Sequence, residues 1–259
     1  MPLIRPTRRD ILRLAAAMPA FAMPAFAMPA AARAAIGPPV GDNPSHFRFT
    51  MGDARLTIIS DGWFTQPMSG QAINADADEK LAFLKAHFLD LESNYAHTNH
   101  LYIELGDARV LVDIGSGGRF ASTSGMLMGN LEAAGIDPFA ITHVAMTHAH
   151  PDHIWGIRDD FDEVTLPDAE FVIGEREYAY WLQDDLVNQV PEVKQQFVVG
   201  AVNSLTADGL EWTMAADGHE VAPGIRMIPT PGHTIGHMSV QIDSGGDTLL
   251  VLGDCMTQA

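Results

Sequence analysis

Three histidines and an aspartate fall close together in His148-Ala149-His150-Pro151-Asp152-His153, directly after the apolar run 141–146. Along an extended segment successive side chains point to opposite faces, so His148 and His150 share one side. Two neutral imidazoles converging from one side are the start of a Zn²⁺-type site. Pro151 turns the chain away from the strand. Asp152 and His153 then approach from another direction, as donors to a second ion. The competing reading is a polar loop in a chain that holds eleven histidines. Four donors at this spacing favour the metal.

Two later segments extend the set: Pro231-Gly232-His233-Thr234 and Leu252-Gly253-Asp254. The ordered whole, over residues 46–259, resembles the metal motif of the metallo-β-lactamase-fold superfamily. That resemblance implies a first ion on His148, His150 and His233, and a second on Asp152 and His153. Asp254 would bridge the two, and Asp152 would also handle the catalytic proton. It implies two divalent ions, Zn²⁺ first, with Fe or Mn as alternatives. Such ions sit about 3.5–4 Å apart and hold a hydroxide whose pKa is lowered towards neutrality. The family pattern closes with a further histidine, whereas no histidine follows His237 here. The expectation is therefore a carboxy-terminally incomplete chain.

Other residues receive smaller roles. Asp113, in Asp113-Ile114-Gly115-Ser116-Gly117, resembles the family's Asp-Thr-Gly position and organises the loop without ligating. His237 supports its loop by hydrogen bonding, His143 is structural, and His97 and His100 stay unassigned. Cys255 reads as a small buried side chain beside Asp254. Tyr178, Tyr180 and Trp181 read as core.

Alternation and turn residues place short strands at 46–50 and 55–60, the second closed by Asp61-Gly62. Residues 77–91 have helical spacing and read as a packing helix, and 124–134 as a capped helix ending at Gly135. Strands at 101–105, 109–113, 141–146 and 169–173 follow, then a helix at 175–182. A second helix, 189–204, is interrupted near Pro191. Five short strands complete the pattern up to 252. Periodicity alone supports only a layered domain of mixed α and β structure. The resemblance implies an α+β fold, a four-layer αβ/βα sandwich with its C-terminal part missing, and ligands on loops at one edge.

Residues 1–34 stand apart. Thr7-Arg8-Arg9-Asp10-Ile11-Leu12 resembles a twin-arginine export motif, followed by an Ala/Met/Phe-rich stretch and Ala32-Arg33-Ala34 as a cleavage site. A proline every five residues from Met18 to Ala32 opposes a membrane helix. The expectation is a periplasmic or secreted protein with no stable membrane anchor after cleavage, a linker at 35–45 and a hydrolase domain at 46–259. Residues 1–34 hold five Arg and one Asp of the chain's 15 Lys+Arg and 33 Asp+Glu, so the rest carries 10 and 32, a net charge of −22 against −18. So acidic a surface opposes nucleic-acid binding, which needs a basic patch. One cysteine excludes an intrachain disulfide.

The resemblance extends to the secreted branch that includes methyl parathion hydrolases and acyl-homoserine lactonases. It implies an exported dinuclear hydrolase of a small lactone, ester or phosphotriester, with a homodimer among the assemblies to test. Two other readings stay open: a metal-binding but catalytically incompetent fragment or non-enzymatic member, and a mononuclear iron enzyme like the sulfur dioxygenases.

Overall fold

The structure is a computed structural model and describes residues 45–256. The export motif and residues 35–44 of the linker lie outside the described residues. Two β-sheets pack face to face. The larger runs in the order β1 (His46–Met51), β2 (Ala54–Pro67), β3 (Ser93–Leu105), β4 (Ala108–Val112), β5 (His143–Met146), β6 (Glu170–Gly174) and β7 (Trp212–Ala215). Neighbours are antiparallel up to β4 and parallel from β4 to β7. The smaller sheet is antiparallel, in the order β11 (Asp247–Val251), β10 (Met238–Ser244), β9 (Ile225–Pro229), β8 (His219–Ala222).

Side-chain alternation divides the larger sheet between two cores. Leu101, Ile103, Val110, Val112, Ala145 and Val172 face the smaller sheet and meet Met227, Val240 and Ile242. Their neighbours Tyr102, Leu111, Val144, Met146, Phe171 and Ile173 face the helices. A strand buried on both faces loses its polar alternation, which is why Val144-Ala145-Met146 reads as a continuous apolar run. The helices on that side are α2 (Leu127–Ala133), α3 (Pro151–Ile154), α4 (Glu175–Trp181), α5 (Leu186–Gln189) and α6 (Glu192–Leu205). Helix, sheet and sheet are thus the layers present among the described residues. No helix among them is long and apolar enough to cross a membrane.

Several expected boundaries move. β2 does not stop at Asp61-Gly62 but continues to Pro67 through an irregularity between Ser60 and Gly62. Gly62 has φ 112°, and a Cβ there would lie 2.1 Å from the Thr123 carbonyl oxygen, so only glycine lets the two segments approach. The bulge turns Asp61 into the protein, fully buried. Its Oδ1 accepts from Leu127 N at 2.9 Å, and its Oδ2 from Ser116 N at 3.0 Å and Ser116 Oγ at 2.8 Å. The helix expected from Ser124 therefore begins at Leu127. A carboxylate 66 residues upstream accepts its first N–H, while Ser124 Oγ pairs with Ser116 Oγ at 2.9 Å.

The helix expected at 77–91 is the shorter α1 (Ala77–Ala86), started by Asp76 accepting from Asp78 N and Glu79 N. Phe88, at φ 57°, has left the helix. Only Leu84 of α1 is buried, and Leu81, Phe83, Phe88 and Leu91 are exposed. It is not the packing helix its spacing suggested. Residues 97–100, expected ahead of a strand, lie within β3. Pro191 does divide α5 from α6.

Candidate metal centre

All six candidate ligands reach one point at the strand ends. β5 finishes at Met146, and Pro151 opens the one-turn helix α3, where its fixed φ and missing N–H cost nothing. His148 lies just before that turn, while Asp152 and His153 lie on it. His233 comes from the loop after β9, and Asp254 from a 3-10 turn, Gly253–Cys255, after β11. His150 Nδ1 lies 2.8 Å from His233 Nε2 and 3.1 Å from His148 Nε2. Asp254 spans the two halves, with Oδ2 3.3 Å from His233 Nε2 and Oδ1 3.5 Å from His153 Nε2. Asp152 Oδ2 is 3.4 Å from His153 Nε2. Potential ligand atoms of His148, His150 and His233 lie within 4.8 Å of one another, as do those of His148, His153 and Asp254.

The surrounding hydrogen bonds assign the imidazole tautomers. Thr147 Oγ1 donates to Asp113 Oδ2 at 2.8 Å, so it accepts from His148 Nδ1 at 3.0 Å. His148 Nε2 is then bare towards the centre. His153 Nδ1 donates to the same Asp113 oxygen at 2.8 Å, which turns His153 Nε2 inward. Asp113 also accepts from Thr147 N at 2.6 Å. It aims two ligands without reaching the centre, as imidazole ligands commonly require. His237 Nε2 accepts from Asp254 N at 3.1 Å, and its Nδ1 pairs with Thr230 Oγ1 at 2.8 Å. It holds the loop carrying Asp254.

Electrostatics divides the cluster. Burial, then the neighbouring imidazoles, pushes His148 well below the ordinary histidine range and His150 down to about 3. Burial also lowers His233, against the pull of Asp254. For His153, burial acts downward, but Asp152 and Asp113 outweigh it and raise its pKa well above the usual value. Burial would raise Asp152 and Asp254, yet His153 holds both below the usual carboxylate range. Ring nitrogens of three neutral imidazoles crowd one point, and their lone pairs suit a cation placed among them. Beside them, two ionised carboxylates and His153 can exchange a proton for a second cation. The donor types and their convergence fit two borderline divalent ions.

A buried carboxylate that the sequence did not single out ties this cluster together. Glu177 on α4 is fully buried. Its Oε1 accepts from Ala149 N at 3.0 Å and Trp181 Nε1 at 2.7 Å. Its Oε2 accepts from Thr234 Oγ1 at 2.7 Å and Gly236 N at 3.0 Å. One side chain thus clamps the His148–His153 loop to the His233 loop. The contact is close: a Cβ on Gly236 would lie 2.1 Å from Glu177 N.

The remaining sequence candidates separate. His100 is buried on β3, its ring edge-on to His153 at 5.9 Å, with Nε2 unpartnered, whereas His97 is exposed. His143 pairs with Thr142 Oγ1 at 2.8 Å, away from the cluster. Cys255 is exposed and not buried as expected, its Sγ 3.9 Å from Ser239 Oγ. The turn that directs Asp254 inward leaves its neighbour outward. Trp181 is core, yet with Tyr180 it also lines a pocket of about 530 Å³ opening beside His150 and His233.

The family model of the metallo-β-lactamase superfamily matches residues 96–256, and the chain belongs to that superfamily. A curated relative, the uncharacterized protein YobT of Bacillus subtilis (strain 168), is 29% identical over 130 residues, 50% of this chain and 53% of its own. The chain therefore spans about half the length of that relative. Among solved structures, AidC, a dizinc quorum-quenching lactonase, aligns with a TM-score of 0.74 at 24% identity, over 80% of this chain and 73% of its own. AbOPH, a hydrolase of the β-lactamase superfamily, aligns with a TM-score of 0.71 at 25% identity, over 83% and 75%. A probable metal-dependent hydrolase from Staphylococcus aureus aligns with a TM-score of 0.64 at 20% identity, over 80% and 74%. Likeness at 24% or 20% identity establishes the shared fold.

Proposed function

We propose that this protein is a metal-dependent hydrolase of a small lactone, ester or phosphotriester. The observation that carries the reading is the convergence of six donors in two linked groups, three imidazoles on one side and Asp152 with His153 on the other, joined by Asp254. His148, His150 and His233 would hold one ion, Asp152 and His153 the other, with Asp254 between them. When bound, the pair would lower the pKa of a shared water towards neutrality and polarise the oxygen that gains charge. The reaction joins a water oxygen to the acyl carbon or phosphorus and breaks the bond from that atom to the leaving oxygen. It gives a carboxylate or phosphodiester anion, a hydroxyl group (on the same molecule for a lactone) and a proton. Asp152, ionised and facing the centre, is the group placed to handle that proton. Asp113 and Glu177 keep the donors aimed. The fold it shares with AidC and AbOPH supports the same class.

The test is to load purified protein with Zn²⁺, count the metal, and measure turnover of γ-lactones, 4-nitrophenyl esters and an aryl phosphotriester. Two ions per chain with turnover of any of the three supports the reading, and metal binding with no turnover removes it. Export by the twin-arginine route belongs to the same proposal. Replacing Arg8 and Arg9 with lysine should hold the precursor in the cytoplasm, and unchanged periplasmic accumulation would discard that route.

A further inference from the structure

The pocket beside His150 and His233 has a charge pattern opposite to the rest of the molecule. Acidic residues outnumber basic ones 33 to 15 in the chain, yet the lining of this pocket contains two cations and no carboxylate. The cations are Arg176 and Lys194. Other cations of the described residues are engaged: Arg55 by Glu104, Arg119 and Arg158 by Asp162, and Arg226 by Asp243. Arg48, Lys80 and Arg109 donate to backbone carbonyls. Among the described residues, Lys85, Arg176 and Lys194 remain without such a partner, and two of these three line this pocket.

Their setting is apolar. On α6, Lys194 is followed by Phe197 and Val198 at i+3 and i+4, so the three share one face. On α4, Arg176 is followed by Tyr180 at i+4 and then by Trp181. Each helix therefore presents one cation and, a turn later, large apolar surface to the same pocket. An apolar lining with a few placed polar groups is the usual form of a small-molecule site, and about 530 Å³ suits a ligand of modest size. Unpaired cations raise the local concentration of anions and are best used by a ligand that carries one.

Resting on the hydrolase reading above, we infer that the substrate is an anionic amphiphile. It is an ester or lactone whose apolar arm lies against Phe197, Val198 and Trp181, and whose separate acidic group meets Arg176 and Lys194. The pocket then selects against neutral esters of the same length. Electrostatic selection of this kind appears in KM and fades with salt.

The test compares two esters of equal chain length on the Zn²⁺-loaded protein: neutral 4-nitrophenyl hexanoate and its acidic counterpart, 4-nitrophenyl hydrogen adipate. Octanesulfonate binding, measured by calorimetry, supplies a readout independent of turnover. The acidic ester should show a KM lower by roughly three- to tenfold, the scale of two exposed ion pairs. That advantage should vanish in Arg176→Gln/Lys194→Gln and in 0.5 M salt, with about the same kcat. Both residues are exposed, so the variant should fold, and neutral-ester turnover reports that it has. Equal KM values for the two esters, unchanged in the variant, would overturn the inference and leave the hydrolase reading intact. If neither ester, nor the γ-lactones and phosphotriester tested above, turned over while octanesulfonate bound wild type and not the variant, the hydrolase reading would fall and the anion site would stand. Neither turnover nor octanesulfonate binding would remove both.

Discussion

Two recesses in this molecule invite comparison. The larger, about 680 Å³, runs along β1, β2 and β3 and contains Arg48, Arg55, Glu104 and Arg109. The smaller, about 530 Å³, opens on His150 and His233. In the larger recess Arg55 is paired with Glu104 at 2.8 Å, and Arg48 and Arg109 donate to backbone carbonyls. Its charges are already answered. At the other recess the ring nitrogens of His150 and His233 lie 2.8 Å apart, and Arg176 and Lys194 have no ion-pair or hydrogen-bond partner among the described residues. Volume and electrostatics therefore point to different recesses, and the donors of the proposed metal centre lie at the second.

The sharpest way to break this contrast is to remove one charged or ligating group from each recess. His150→Ala should abolish binding at the three-imidazole position and reduce hydrolysis to background. Arg55→Ala, which removes an exposed and solvent-screened ion pair, should leave metal and activity alone. Equal metal content in the two variants would erase the distinction. Next in size is Glu177→Gln, which keeps the side chain's shape but turns one accepting oxygen into a donating amide and so loses two of its four accepted hydrogen bonds. Metal affinity should fall about 10–100-fold, the range for residues that orient ligands. Unchanged affinity in a competition titration would make Glu177 merely structural.

Acid separates the two faces further. In metal-stripped protein His150 titrates at about 3, against about 6.5 when unfolded. The folded state therefore binds fewer protons between these values. The stability from His150 is complete above about 6.5 and drains away as pH falls towards 3. His148 acts in the same sense, whereas His153, with its raised pKa, opposes it. Urea midpoints of the stripped protein should be lower at pH 5 than at pH 7, and His150→Ala should flatten that slope. The smallest effect belongs to His143→Ala. It should leave metal content unchanged, because the ring pairs with Thr142 and lies outside the donor cluster.

What could be read from the sequence follows from distance along the chain. His148 to His153 are close in sequence and in space, so spacing alone could announce them, and His233 and Asp254 carried their own short motifs. The strand ahead of them was legible because burial on both faces leaves Val144, Ala145 and Met146 all apolar. Glu177 was not legible. Its four donors come from residues 4 to 59 positions away, and a lone acid near the start of a helix usually faces solvent. Asp61 reads in the sequence only as the close of a strand, because its partner Leu127 lies 66 residues on, and the start of α2 then falls at Ser124. The length of α1 was overread because Leu81, Leu84, Phe88 and Leu91 repeat as a packing face would, whereas only Leu84 is buried.

The Glu177 clamp also bears on how the protein folds. Its carboxylate joins positions 28 and 57 to 59 residues away, so the two ligand loops meet only after α4 has docked. Contacts of such sequence separation form after local ones, because loop closure must come first. Of the donors assigned to each ion, His148 to His153 supplies only two, so neither site is complete in an early, locally ordered chain. Added zinc should consequently leave the refolding rate nearly unchanged and slow unfolding instead, making the ion a lock on the finished structure and not a seed for it.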